Sequence, residues 1–157
     1  MFNLIHKNDN SNLVDSRLYD QKTFYKAFMR DLTNCHKNLV IECPFITAKR
    51  MNIMLPILDR LRRRNVNIVI NTRNPDNHED RYHKQAHEAI SSMQTIGITV
   101  LYTVGHHRKL AIIDKQTIWE GSLNILSFND SCEIMRRITS IVIAKQLLSF
   151  TGLNKYL

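Results

Sequence analysis

An α/β fold built on a mixed β-sheet is what this sequence predicts, and three observations predict it. Short apolar runs of the buried-strand type alternate with longer amphipathic segments of helical spacing. The connections between the early strands are long enough for helical crossovers, which makes those strands parallel. The late runs "RKLAIID" (108–114) and "TIWEGS" (117–122) are separated by two residues and form an antiparallel hairpin. A chain of 157 residues, 43% of them apolar, suits one domain with a real hydrophobic core.

Residues 1–16, centred on "HKNDNSN" (6–12), read as a polar N-terminal arm, and 17–157 as the folded domain. "DQKTFYKAFMRDLTNCHK" (20–37) has helical spacing, with Phe24, Phe28 and Leu32 on one face and Asp20 as a candidate N-cap. "NLVIEC" (38–43) is a buried strand stopped by Pro44. Thr47 then caps a helix through Arg64, kinked or restarted near Pro56. "VNIVINT" (66–72) is a second central strand, and residues 83–96 form another amphipathic helix. Gly97 precedes the strand "ITVLYT" (98–103), and the hairpin follows. "CEIMRRIT" (132–139) offers a further strand and 140–150 a final helix.

The chain carries 22 Lys and Arg against 14 Asp and Glu, a net charge of +8. That balance favours a polyanionic partner, nucleic acid first and an anionic membrane surface second. Three cysteines, Cys35, Cys43 and Cys132, are odd in number and widely spaced, which argues against a disulfide framework or a zinc knuckle. The first apolar run is too short for a signal peptide, and no stretch approaches a membrane span. The expected location is cytoplasmic, with no membrane partner.

Polar chemistry concentrates in "GHHRKLAIIDKQTIWEGSLN" (105–124). With Lys115 and Gln116 as a two-residue loop, Asp114 pairs with Thr117. Lys109 then falls opposite Ser122, and His107 opposite Asn124. All four share one face, since side chains alternate along a strand. Leu110, Ile112 and Trp119 are expected on the other. Gly121 would let the backbone lie close to a ligand. Asp114 has the wrong parity for the cluster and is expected to hydrogen-bond the turn backbone. Such a face suits a phosphate. Lys109 offers a compact positive charge, and Ser122 and Asn124 offer hydrogen bonds. A neutral imidazole at His107 can attack phosphorus to give a covalent intermediate that water cleaves. The competing reading is a solvated polar hairpin.

The order His107-x-Lys109-x4-Asp114, then six residues and Gly121-Ser122-x-Asn124, resembles the signature of the phospholipase D superfamily. "NLVIECPFIT" (38–47) and the helix after it are also similar to that family's first strand and helix, so the likeness spans 17–157. It implies a mixed β-sheet sandwiched between helices, an α/β/α sandwich. It also implies phosphodiester cleavage or transfer through a phosphohistidine, without metal or cofactor. By that resemblance His107 is the nucleophile, and Lys109, Ser122 and Asn124 hold the phosphate oxygens. Family members carry a downstream carboxylate that orients the histidine. Glu133 is the best match, and Glu120, expected on the same hairpin face, is a rival. His106 is expected to point away as a bystander.

The function expected is a nuclease acting on DNA. A noncatalytic nucleic-acid-binding module of the same fold and a lipid phosphodiesterase are the alternatives. Double displacement needs one neutral and one protonated histidine. One motif copy therefore implies a homodimer with the active site at the two-fold interface. His83 and His87 have the i, i+4 spacing of metal ligands, but no third ligand is apparent and no metal is predicted. "RLRRRN" (60–65) is either a nucleic-acid track or a helix end whose charges suit the dipole. The loop "TRNPDNHEDRYH" (72–83) follows a strand's C-terminal end, where α/β folds bind ligands.

Overall fold

In a computed structural model describing residues 15–77, 80–128 and 130–157, the apolar runs become strands. In chain order the elements are β1 (Asp15–Asp20), α1 (Phe24–Thr33), β2 (Asn38–Glu42), α2 (Ala48–Arg63) and β3 (Asn67–Thr72). A short 3-10 turn (Pro75–Asn77), α3 (Asp80–Thr95), β4 (Thr99–Tyr102), β5 (Leu110–Ile113), β6 (Thr117–Gly121), β7 (Ile134–Thr139) and α4 (Ile141–Thr151) follow. One seven-stranded sheet results, in the order β1-β7-β6-β5-β2-β3-β4. β2, β3 and β4 are parallel, and β5 joins β2 antiparallel, so the sheet is mixed.

Both faces are covered. Leu39, Ile41, Ile68, Ile70 and Trp119 pack under Phe24 and Phe28 of α1, Met54 and Leu58 of α2, and Met93 of α3. Val40, Val69, Ile112, Ile118 and Ile138 pack against Ala144 and Leu148 of α4. This is the sandwich of the resemblance, and two-sided burial explains why the central strands read as continuous apolar runs. Asp31 on α1 accepts hydrogen bonds from Trp119 Nε1 (2.8 Å) and from Arg137 Nε (2.7 Å), tying that helix to β6 and β7. Among the described residues, no helix is long and apolar enough to cross a membrane.

Residues 1–14 of the predicted arm lie outside the described residues, and its last two, Asp15 and Ser16, pair with Thr139 and Ile138 in β1. No pattern announced this strand. It is an exposed edge, formed by pairing with β7 rather than by burial. Asp20 does not cap α1. Its carboxylate accepts from the backbone N–H of Lys22 (3.0 Å) and Thr23 (2.9 Å), fixing the turn before the helix. Thr47 occupies the N-cap position of α2, but its hydroxyl accepts from Phe128 N–H at 2.9 Å instead of capping. No restart occurs at Pro56, because Met54, Leu58 and Leu61 bury the helix across the lost hydrogen bond.

The hairpin register differs by one residue. Ile113, not Asp114, pairs with Thr117, so the loop holds Asp114, Lys115 and Gln116. Asp114 and Lys115 take left-handed φ values of 51° and 55°, and Gln116 N–H donates to Ile113 O at 3.1 Å. Leu110 and Ile112 consequently face α4 while Trp119 faces α1, so the three do not share a face. A sheet covered on both sides gives apolar pattern no power to select register.

Candidate active site

The segment 103–109 crosses the carboxyl ends of β2 and β3 before entering β5, and buried polar bonds hold it there. Glu42, fully buried at the end of β2, accepts from Arg108 Nε (2.8 Å), Arg108 Nη2 (2.7 Å) and Asn71 Nδ2 (3.0 Å). Asn71 Oδ1 in turn accepts from the Thr103 hydroxyl at 3.0 Å. A buried carboxylate needs such partners, and here they anchor the strand's approach. His106 is buried on this side, and its Nε2 has no hydrogen-bond partner among the described residues. Burial holds the His106 pKa below the ordinary histidine value against the pull of Glu42.

His107, exposed, and Lys109, half-buried, are presented together. The Lys109 ammonium donates to His107 Nδ1 at 2.8 Å and to its carbonyl oxygen at 2.9 Å. Partial burial lowers the Lys109 pKa, and Cys43 and Glu133 only partly offset this. Ser122 and Glu133 also meet: the Ser122 hydroxyl donates to the Glu133 carboxylate and accepts from Ile134 N–H at 3.0 Å. Glu133 accepts a second hydroxyl bond from Ser131 at 2.6 Å. No described bond joins Glu133 to His107, whose Nδ1 is held by Lys109 instead. Glu120 stands opposite Leu110 and Arg136, on the α4 side of the sheet and off the Lys109 face. The one-residue register shift puts it there.

Asn124 lines a cleft of about 190 Å³ with Glu133, Gln21, Tyr25, Arg50 and Phe128. Its Oδ1 is buried without a partner among the described residues, as is Arg50 Nε. Gly121 serves a different close approach from the one expected. A Cβ there would meet Ile134 O at 2.1 Å, so the missing side chain admits the β7 backbone and not a ligand. Asp114 is structural, but it grips a different backbone from its own turn. Its carboxylate accepts from the N–H groups of His36 (2.9 Å), Lys37 (2.7 Å) and Asn38 (3.0 Å) at the start of β2.

The sequence matches the family model described as cardiolipin synthase, PLD-like domain, over residues 28–151. The chain belongs to the phospholipase D-like family. Among curated proteins none matches this phospholipase D-like chain in sequence. Its fold is similar to that of Nuc from Salmonella typhimurium, a phospholipase D family member, with a TM-score of 0.71 and 14% identity. That match covers 87% of this chain and 91% of Nuc. NucT from Helicobacter pylori is similar at TM-score 0.69 and 14% identity, with 91% of this chain and 97% of NucT covered. Phosphatidylserine synthase from Haemophilus influenzae shares the fold at TM-score 0.63 and 11% identity, covering 94% of this chain but 39% of the synthase.

Two buried charged residues beside this candidate site escaped the sequence reading. Glu42 is a lone carboxylate inside an apolar strand, a signal in itself. Arg50 continues the apolar row Met54 and Leu58 of α2 at i+4 spacing. It is 9% exposed, with its guanidinium 3.4 Å from the Tyr25 ring centroid. The arginine run is largely structural. Arg62 bonds Val66 O (2.7 Å), Arg63 pairs with Asp59 (2.8 Å) and Arg64 bonds Cys35 O (3.0 Å).

Proposed function

We propose that this chain cleaves phosphodiester bonds of nucleic acid, DNA above all, through a covalent phosphohistidine on His107 and without a metal ion. The observation that carries the reading is the pairing of His107 with Lys109 on one anchored segment, with an exposed imidazole and an ammonium bonded to its Nδ1. An ammonium can only donate, so this bond leaves the ring proton on Nε2. A phosphate oxygen competes for Lys109. Drawing the ammonium away frees Nδ1 to hold the proton, and Nε2 becomes the nucleophile. Nε2 attacks phosphorus, the P–O bond to the leaving group breaks, and a protonated histidine supplies the leaving oxygen's proton. Water then cleaves the P–N bond and returns the enzyme. Lys109, Ser122 and Asn124 hold the developing phosphorane charge, the part that Mg²⁺ takes in many nucleases. Arg50, a buried cation with an unpartnered Nε in the cleft of Asn124, suits the same charge. Glu133 keeps the Ser122 hydroxyl turned. The net charge of +8 favours a polyanionic substrate.

Incubation with plasmid, single-stranded DNA, RNA and phosphatidylcholine vesicles, all in EDTA, tests this. DNA is expected to be cut under chelation. Cleavage that appears only on adding Mg²⁺ would overturn the metal-free route. Choline release alone would make the protein a lipid phosphodiesterase, and tight DNA binding without cleavage would make it a binding module.

The second histidine belongs, in this reading, to a second copy of the chain at a two-fold axis. Leu18, Ile134 and Phe150 are 58%, 55% and 80% exposed, and they line one groove with Lys109 and Gly121. This apolar surface lies on the α4 side of the sheet, with Glu120 and Arg136, and a second chain that covers it would bury these side chains while meeting the hairpin at Lys109. Light scattering at full activity should return the mass of two chains. Excess His107→Ala subunits mixed with wild type should suppress activity beyond dilution once subunits exchange. A fully active single chain would refute the dimer.

A further inference from the structure

Asp76, His83 and His87 converge on one point although they come from different elements. Asp76 sits in the 3-10 turn after β3, where its backbone N–H is held by the Asn74 side chain at 3.1 Å. His83 and His87 are one turn apart on α3, on the same helix face. Each Nε2 lies 2.9 Å from the same oxygen, Asp76 Oδ1, and the three ligand atoms lie within 4.8 Å of one another. Among the described residues no other trio of metal-ligating side chains gathers in this way.

The spacing has a coordination meaning. Donors at about 2.0–2.2 Å from a first-row cation stand about 2.9–3.6 Å apart when they subtend octahedral to tetrahedral angles. Both nitrogen-to-oxygen separations meet the short end of that range. Hydrogen bonding alone is a weak reason for two imidazoles to crowd one oxygen on an exposed surface, where such pairs add little stability. We propose that Asp76, His83 and His87 form a structural site for a divalent cation of the zinc class, which clips the segment after β3 to α3. Two imidazoles and one carboxylate select Zn²⁺, Co²⁺ or Ni²⁺ over Mg²⁺ and Ca²⁺. None of the three lines the cleft of Asn124 and Glu133, so the ion's work is to fix a loop. The proposal does not rest on the phosphodiesterase reading.

The test uses the full chain after chelator treatment, titrated with Zn²⁺ and with Co²⁺ followed by calorimetry and visible absorption. One equivalent should bind with micromolar or tighter affinity, and Zn²⁺ should raise Tm while Mg²⁺ does not. Asp76→Asn, His83→Gln and His87→Gln should each weaken binding at least about tenfold. Their melting in EDTA should match the wild type, because all three side chains are substantially exposed. X-ray absorption at the zinc edge of the wild-type complex should report imidazole and oxygen without sulfur. Absence of binding, sulfur in the coordination sphere, or unchanged affinity in the His83→Gln/His87→Gln double variant would each overturn the site. DNA cleavage that persists in EDTA while Tm falls would separate this ion from the chemistry.

Discussion

Replacing His107 with alanine is expected to abolish phosphodiester cleavage, by about a thousandfold or more, while Tm shifts by no more than about 2 °C. The two effects separate because of where the residue sits. His107 is exposed, and its described side-chain bond is the one from Lys109, so its removal uncovers no core and strands no buried polar group. Surface changes of this kind fall within about 0.5 kcal/mol. Initial rates on the DNA form cut best, alongside thermal melting and circular dichroism, provide the check. A variant that retained a tenth of the wild-type rate would remove His107 from the role of nucleophile. So would failure to trap an acid-labile phosphoryl group on the wild-type protein.

Asp114→Ala is expected to do the reverse and cost stability first, by about 3 kcal/mol, or a Tm loss of about 6–12 °C. Three backbone donors at residues 36–38 lose their acceptor, and alanine must also adopt the left-handed φ of 51° that Asp tolerates better. The same bonds set a pH dependence. Partial burial pushes the Asp114 pKa up, but the three N–H groups outweigh it and leave the value below the ordinary 3.8. The unfolded chain therefore takes up this proton at higher pH than the native one. The stabilisation is complete above the ordinary carboxylate range and is lost as pH falls through the lowered native value. Urea denaturation from neutral pH down to about pH 3 should show a smaller acid loss in Asp114→Ala than in wild type. Unchanged melting in this variant would place Asp114 outside the structural frame.

Much of the fold was written in apolar periodicity. The runs at 38–43 and 66–72, the amphipathic segments between them and the final helix all fall where spacing put them, within a few residues. What periodicity lacks is anything to say about β1, which buries almost nothing, or about register in a sheet covered on both faces. The extra hairpin residue was invisible for that reason, and it misassigned Trp119, Glu120 and the pairings of Lys109 with Ser122 and His107 with Asn124, since Lys109 stands opposite Gly121 instead. In the site, His107 and Lys109 were legible because they alternate along the extended segment that enters β5. Ser122 and Glu133 meet through the β6–β7 approach that Gly121 permits, a contact no strand count supplies. Asp76 was hidden for a similar reason. Its closeness to His83 and His87 depends on a turn, while their own i, i+4 relation needs only a helix.

The alternation from His106 to Lys109 has an evolutionary consequence. The even-numbered side chains are fastened into the protein, one by burial and one by Glu42, and the odd-numbered ones pair with each other, His107 exposed and Lys109 half-buried. Inheritance can therefore act on the two sets separately. A single codon step that turns His107 into glutamine would leave the scaffold, its basic surface and the other groups proposed to hold phosphate in place. On the proposed reading, a descendant that merely grips a polyanion is a near neighbour of the catalyst in sequence space, and a lineage can cross between them without passing through an unfolded intermediate.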